Sequence, residues 1–172
     1  MAKVLIDGYN LIRQSPTLGA SFEADPETAR RELIELLAPY QRKRRHAVTV
    51  VFDGAGSLHL AADSSRQAGV KVVFSAQGQT ADEEIARRAQ KLHEGTVVVT
   101  SDQELARACR RAGAEVLSSP EFEAHLYQVL TDTGRSDEEE DAPRSRPDTR
   151  KKGPARRAKK RDRQRQRHLE KL

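Results

Sequence analysis

The chain has 172 residues, room for one compact domain and a tail, and its 36% hydrophobic content includes only 4% aromatics, so a core must rest on Val, Leu, Ile and Ala. Charged residues reach 33%, above the roughly 25% of an ordinary globular chain, so part of the sequence is not folded core. One cysteine, Cys109, rules out an internal disulfide framework, and the chain shows neither a signal-peptide apolar region nor a run able to span a membrane; the expectation is a soluble, cytoplasmic protein.

Val4-Leu5-Ile6 reads as a short buried strand ending at Asp7-Gly8. Asp25-Pro26 has the form of a helix start, with Asp25 as N-cap and Pro26 in the first turn. Ala29, Leu33, Leu36, Leu37 and Tyr40 follow at helical spacing, which predicts a helix to about residue 38 or a little beyond, ended or kinked by Pro39. Ala47 to Phe52 is an unbroken strand-like run stopped by Asp53-Gly54, and residues 54–69 carry no pattern that assigns them. Val70 to Phe74 is the next strand. Thr80-Ala81-Asp82-Glu83 is a capping box, and Ala81, Ile85, Ala89 and Leu92 line one face of the helix it opens.

Thr96 to Thr100 predicts a fourth strand. Asp102 opens a helix with Leu105, Cys109 and Ala112 on one stripe, and Gly113 stands at its C-terminal end. Ala114 to Leu117 is a fifth strand, and Ser119-Pro120 begins a last helix carrying Phe122, Leu126, Val129 and Leu130. Strands alternating with helices, and strands apolar on both faces, argue for an α/β fold with a parallel sheet covered on both sides. Strand order is left open.

The net charge of +5 conceals a split: residues 142–172 hold 14 Lys+Arg against three acids, a net of +11, while residues 1–141 carry a net of −6. An acidic block, Asp137 to Asp141, precedes Pro143, Pro147 and Pro154 among basic residues. Such a segment has too little apolar surface to offset its ordering entropy. The expected organisation is therefore a folded domain over residues 1–130 and a disordered acidic-then-basic tail over 131–172.

In open parallel sheets ligands sit outside the carboxyl ends of the strands. Asp7, Asp53 and Asp102 follow three strand ends directly, and Asp82 lies in the first turn of the helix after another. Like charges about 4 Å apart repel by roughly 4 kcal/mol at an effective dielectric of 20, so converging carboxylates call for raised pKa values or a cation. Hard oxygen donors without His or Cys favour Mg²⁺ or Mn²⁺ over zinc, and the five histidines show no zinc spacing. Each acid also has a structural reading. Asp7-Gly8 and Asp53-Gly54 suit turns, Asp82 suits a helix N-terminus, and Asp102 suits an N-cap. Four such accidents at one sheet edge are harder to accept than one. Asn10 either orients a water or carboxylate, or caps a turn.

Ile6-Asp7-Gly8-Tyr9-Asn10-Leu11-Ile12 closely resembles the opening motif of NYN domains in the YacP-like branch of the PIN-like nucleases. Val51-Phe52-Asp53-Gly54, Thr80-Ala81-Asp82-Glu83 and Val99-Thr100-Ser101-Asp102 resemble that family's later acidic motifs in order. The resemblance covers residues 3–130. It implies a three-layer α/β/α sandwich and endoribonuclease activity with Mg²⁺ or Mn²⁺, by hydrolysis that leaves a 5′-phosphate and a 3′-hydroxyl. It also implies that Asp7, Asp82 and Asp102 form a metal-binding core, that Asp53 is a further acidic position, and that Asn10 and Ser101 are polar supports.

The expected partner is RNA, single-stranded or mRNA. The basic tail is expected either to anchor structured RNA, including the ribosome, or to act only as a solubilising segment. Arg42-Lys43-Arg44-Arg45 suits a helix C-terminus and is also placed to meet a phosphate. The alternative function is a non-catalytic RNA-binding adaptor. A phosphotransferase fits less well, because Asp7 lacks a second Asp two residues on, and a dinucleotide enzyme lacks its Gly-rich turn.

Overall fold

The computed structural model describes residues 2–54, 63–92 and 95–132. Of the tail expected to be disordered over 131–172, residues 133–172 lie outside these residues, and Thr131 ends the last helix. The elements in chain order are β1 (Lys3–Asp7), α1 (Gly8–Gln14), α2 (Leu18–Ala24), α3 (Pro26–Arg44), β2 (Ala47–Phe52), β3 (Asp63–Gln67), β4 (Val70–Phe74), α4 (Ala81–Leu92), β5 (Thr96–Val99), α5 (Gln103–Arg111), β6 (Glu115–Leu117) and α6 (Ser119–Thr131).

Six strands form one sheet in the order β3-β4-β2-β1-β5-β6. All neighbours are parallel except β3, which runs antiparallel to β4 at the edge. The parallel sheet expected from the sequence is thus present, with one antiparallel edge strand added to it. Its sequence, Asp-Ser-Ser-Arg-Gln, is exposed at every position, so no apolar pattern marks it. It is set by a hairpin in which Ala68 and Gly69 take positive φ of 49° and 89° between the paired Gln67 and Val70, the geometry of a two-residue primed turn.

The period-two alternation of the strands separates two cores. Val4, Ile6, Val50, Phe52, Val72, Val97 and Val99 face α1, α3 and α6. Leu5, Val51, Val73 and Val98 face α4 and α5, where Cys109 is fully buried as core. The result is a three-layer α/β/α sandwich.

Helix α3 runs through Pro39 to Arg44, so the proline neither ends it nor coincides with its boundary. Asp25 caps it as expected, accepting from the backbone N–H groups of Glu27 and Thr28 at 3.1 and 3.0 Å. Residues 8–24, expected to begin with a turn, instead form two seven-residue helices. Helices this short are marginal alone and depend on packing; Leu11, Ile12 and Leu18 are buried in the core. Among the described residues no helix is long and apolar enough to cross a membrane.

Candidate active site

The chain proceeds outward from β1 through β2 to β4 on one side, then returns to place β5 and β6 on the other. The crevice of a doubly wound sheet opens where the order reverses, at the carboxyl ends of the strands. Here that point lies between β1 and β5, so Asp7 and the Thr100-Ser101-Asp102 turn stand on its two banks.

Asp7 ends β1 and caps α1. Its Oδ1 accepts from the Asn10 backbone N–H at 3.2 Å, and its Oδ2 accepts from the Thr100 hydroxyl at 3.2 Å. The carboxyl group therefore has a fixed orientation although the residue is only 7% exposed. The Gly8 that follows permits this close approach: a Cβ there would stand 2.3 Å from the Phe52 ring.

Thr100 also ties the second bank together, its hydroxyl accepting from the Asp102 backbone N–H at 3.1 Å. Asp102 caps α5 through the Leu105 N–H at 2.7 Å. Asp53 leaves the end of β2 and accepts from the Ala81 N–H at 2.7 Å, pinning the start of α4. The Thr80–Glu83 capping box is present in both directions at 3.2 Å, and it presents Asp82 in the first turn. Neither Asp82 oxygen accepts a hydrogen bond among the described residues.

The structural readings hold for Asp102, an N-cap, and for Asp82, in a first helical turn, whereas Asp7 caps α1 and Asp53 holds the start of α4 where turns were expected. The same residues nevertheless converge: Asp7, Asp53, Asp82 and Asp102 line one cleft of about 310 Å³ with Tyr9, Asn10, Arg13, Gln14 and Thr80. Burial pushes the Asp7 carboxyl up to about 6, with the charges of Asp82 and Asp53 adding to the rise. Burial also raises Asp82, followed by repulsion from Asp102, Asp53 and Glu83. These groups sense one another.

Asn10 and Ser101 lie beside the acids in a supporting lattice. The Asn10 Oδ1 accepts from the Ser101 N–H at 2.9 Å and from the Ser119 hydroxyl at 2.8 Å. The Ser101 hydroxyl accepts from the Ser119 N–H at 3.1 Å. Asn10 therefore joins α1, the β5–α5 turn and the start of α6, and Ser101, bonded to both Asn10 and Ser119, stands outside the cleft lining.

Three further residues escaped the sequence reading: Thr100, Arg13 and Tyr9. Arg13 stands 5.9 Å from the Tyr9 ring centre and 5.2 Å from that of Phe22, and Tyr9 in turn accepts from Arg30 at 2.6 Å through its hydroxyl. Although it shares the cleft with four carboxylates, Arg13 forms no hydrogen bond or ion pair among the described residues. The spacing of Asp7, Asn10, Arg13 and Gln14 places them on one helical face, a signal that becomes readable once residues 8–14 are recognised as a helix.

All the cleft acids offer hard oxygen donors. Among the described residues, no three His, Cys, Asp or Glu side chains are grouped closely enough to hold an ion between them. This arrangement suits a hydrated ion of the Mg²⁺ kind, which keeps several waters and uses one or two carboxylates together with substrate phosphate. Asp82, with uncommitted oxygens, and Asp7, whose repulsion a cation relieves, are the donors best placed for it.

The profile of the YacP-like NYN domain matches residues 4–172. The chain belongs to this family. NYN domains are part of a nuclease superfamily, and the match extends beyond the motif-bearing residues 3–130 through the basic segment, which the motifs alone had left outside. An uncharacterized protein YacP of Bacillus subtilis (strain 168) is 37% identical over 93 residues, so the chain spans about half the length of this curated relative (52% of each). Two crystal structures of Rae1 (YacP) from Bacillus subtilis, one of them a point mutant, share the fold. The mutant aligns with a TM-score of 0.65 at 32% identity over 76% of this chain and 77% of that one; the other gives 0.62 and 32% over 76% of each.

Proposed function

We propose that this YacP-like NYN protein is a metal-dependent endoribonuclease that hydrolyses phosphodiester bonds of single-stranded RNA, mRNA included, in the cytoplasm. The observation that carries the reading is the convergence of Asp7, Asp53, Asp82 and Asp102 on one cleft at the reversal point of the sheet. Capping and pinning helices accounts for Asp7, Asp53 and Asp102 one by one, but not for their convergence with Asp82 on one cleft, and a binding module for an anionic polymer has little use for it.

Mg²⁺ or Mn²⁺, when bound, supplies a lowered water pKa and polarisation of a phosphoryl oxygen. Asp7 and Asp82 would hold it, with Asp53 and Asp102 completing the acidic lining. Asp7 is oriented for this by Asn10 and Thr100. Arg13, without a carboxylate partner among the described residues and resting on Tyr9 and Phe22, offers its guanidinium fork to a substrate phosphate. Hydrolysis leaves a 5′-phosphate and a 3′-hydroxyl.

The +11 segment at residues 142–172 supplies sequence-independent affinity for RNA by counterion release, and anchors structured RNA such as the ribosome while the acidic domain cuts. The test is cleavage of an end-labelled single-stranded RNA by wild type, Asp7→Asn and Asp82→Asn in Mg²⁺, Mn²⁺ or EDTA. Products are expected only for wild type with metal. Cleavage retained by both variants would overturn the assignment, and RNA bound but never cut by wild type would favour the adaptor.

A further inference from the structure

A second concavity, larger than the acidic cleft, lies along the free edge of β6. It measures about 760 Å³ and runs between α5 and the β6 edge, from Gly113 at one end to Ser118 at the other. Thr100, Ser101 and Asp102 belong to its lining, and Asp102 also lines the acidic cleft. The two therefore share a wall at Asp102, where α5 begins.

Arg107 and Arg110, one helical turn apart on α5, are its cations. Both are exposed, and neither guanidinium is hydrogen-bonded or ion-paired among the described residues. Cations in the last turn of a helix ordinarily need no ligand, and that account covers Arg111, which does not line the groove. It does not explain why Arg107 and Arg110 both line a concavity that shares Asp102 with the acidic cleft. Glu115 and Glu121 share the lining with Asp102, and Glu121 accepts from the Ser118 backbone N–H and hydroxyl at 3.1 and 2.7 Å. Among the described residues β6 has a strand partner on one side only, so its edge offers backbone N–H donors as well.

We propose that this groove is a track for single-stranded RNA, in which Arg107 and Arg110 bind phosphates of the nucleotides flanking the scissile bond on the β6 side. The inference rests on the nuclease reading for its direction, since a strand cut at the acids must continue past Asp102. Guanidinium forks suit phosphate oxygens. With Arg13 across the cleft, the acidic centre is then flanked by cations on both sides, which is how an anionic strand can be held over carboxylates.

The test compares Arg107→Glu, Arg110→Glu and the double variant with Arg111→Glu in the full chain. Arg110→Glu and Arg111→Glu change charge equally on adjacent residues and leave the basic tail intact. Binding of a 5′-fluorescein-labelled, unstructured 16-nucleotide RNA is followed by anisotropy in Mg²⁺ across a salt series, with Asp82→Asn added to every protein so that the RNA is not cut, and cleavage is followed separately without that substitution. Arg107→Glu and Arg110→Glu should each weaken binding several-fold more than Arg111→Glu. The double variant should lower the slope of log affinity against log salt by about 1.4, at roughly 0.7 per phosphate, and raise KM with kcat little changed. Equal binding by Arg110→Glu and Arg111→Glu would overturn the track, including the case where the groove instead takes a peptide strand on the β6 edge. Because binding is read without cleavage, weakened binding with an inactive wild type would sink the nuclease and keep the track. Equal binding with active enzyme would do the reverse.

Discussion

Replacing Asp7 by Asn should stabilise the metal-free protein while abolishing cleavage. The Asp7 carboxyl rises from 3.8 to about 6 on folding, through burial and then through its acidic neighbours. The folded chain therefore binds more protons than the unfolded chain between about pH 4 and 6. Stability falls as pH rises through that window and stays lowered above it. Roughly two pKa units correspond to about 3 kcal/mol of destabilisation at pH 8. The amide removes the charge. Its oxygen can still accept from the Asn10 N–H, and its NH₂ can donate to Thr100 once that hydroxyl rotates, a rearrangement that costs about 1 kcal/mol.

The net expectation is a gain of about 2 kcal/mol at pH 8 and none near pH 4. Paired urea or thermal unfolding in EDTA, with both proteins at each pH, measures this difference directly; at pH 8 the variant should melt about 5 °C or more above wild type. Added Mg²⁺ or Mn²⁺ should narrow the gap, because only wild type gains binding energy from the ion. A variant less stable than wild type at pH 8 in EDTA would refute the argument, and would mean that the two hydrogen bonds outweigh desolvation and repulsion.

Gly8→Ala should lower stability by about 1–3 kcal/mol, since the new Cβ would overlap the Phe52 ring, and activity should fall with it as Asp7 shifts; a denaturation midpoint equal to wild type would count against the close approach. Asn10→Ala leaves the Ser101 N–H and the Ser119 hydroxyl without their acceptor, at about 1–3 kcal/mol, and should reduce kcat with the metal requirement unchanged, as read from a metal titration of cleavage. Deleting residues 142–172 should flatten the salt dependence of RNA binding while leaving the unfolding midpoint of the domain in place, and an unchanged slope would remove the tail from RNA recognition.

Most of the architecture was legible because its signals are local. Apolar runs such as Val97-Val98-Val99, the Asp25 and Asp102 caps and the Thr80–Glu83 capping box depend on neighbours within four residues. The segments that were not legible depend on distant contacts. Helix α1 begins at a glycine that is buried because Phe52, 44 residues later, occupies the space of a side chain. Strand β3 has no apolar face and exists through its pairing with β4. Its turn places Ala68 rather than Asn at a positive φ, so the usual hairpin signal is missing.

The site divides in the same way. The sequence alone picked out the four acids that the structure brings to one cleft, since Asp7, Asp53, Asp82 and Asp102 each sit at a strand end or the helix start beyond it. It also placed Asn10 and Ser101 beside them. Only the tertiary structure decided that β5 returns to the other side of β1. That reversal makes a crevice between Asp7 and Asp102, buries Asp7 enough to raise its pKa, and brings Thr100 onto its carboxylate from 93 residues away. Arg13 and the Arg107–Arg110 groove became visible for the same reason: a cation's role depends on which surface it faces, and the facing is fixed by packing across the sheet rather than by the residues next to it in the chain.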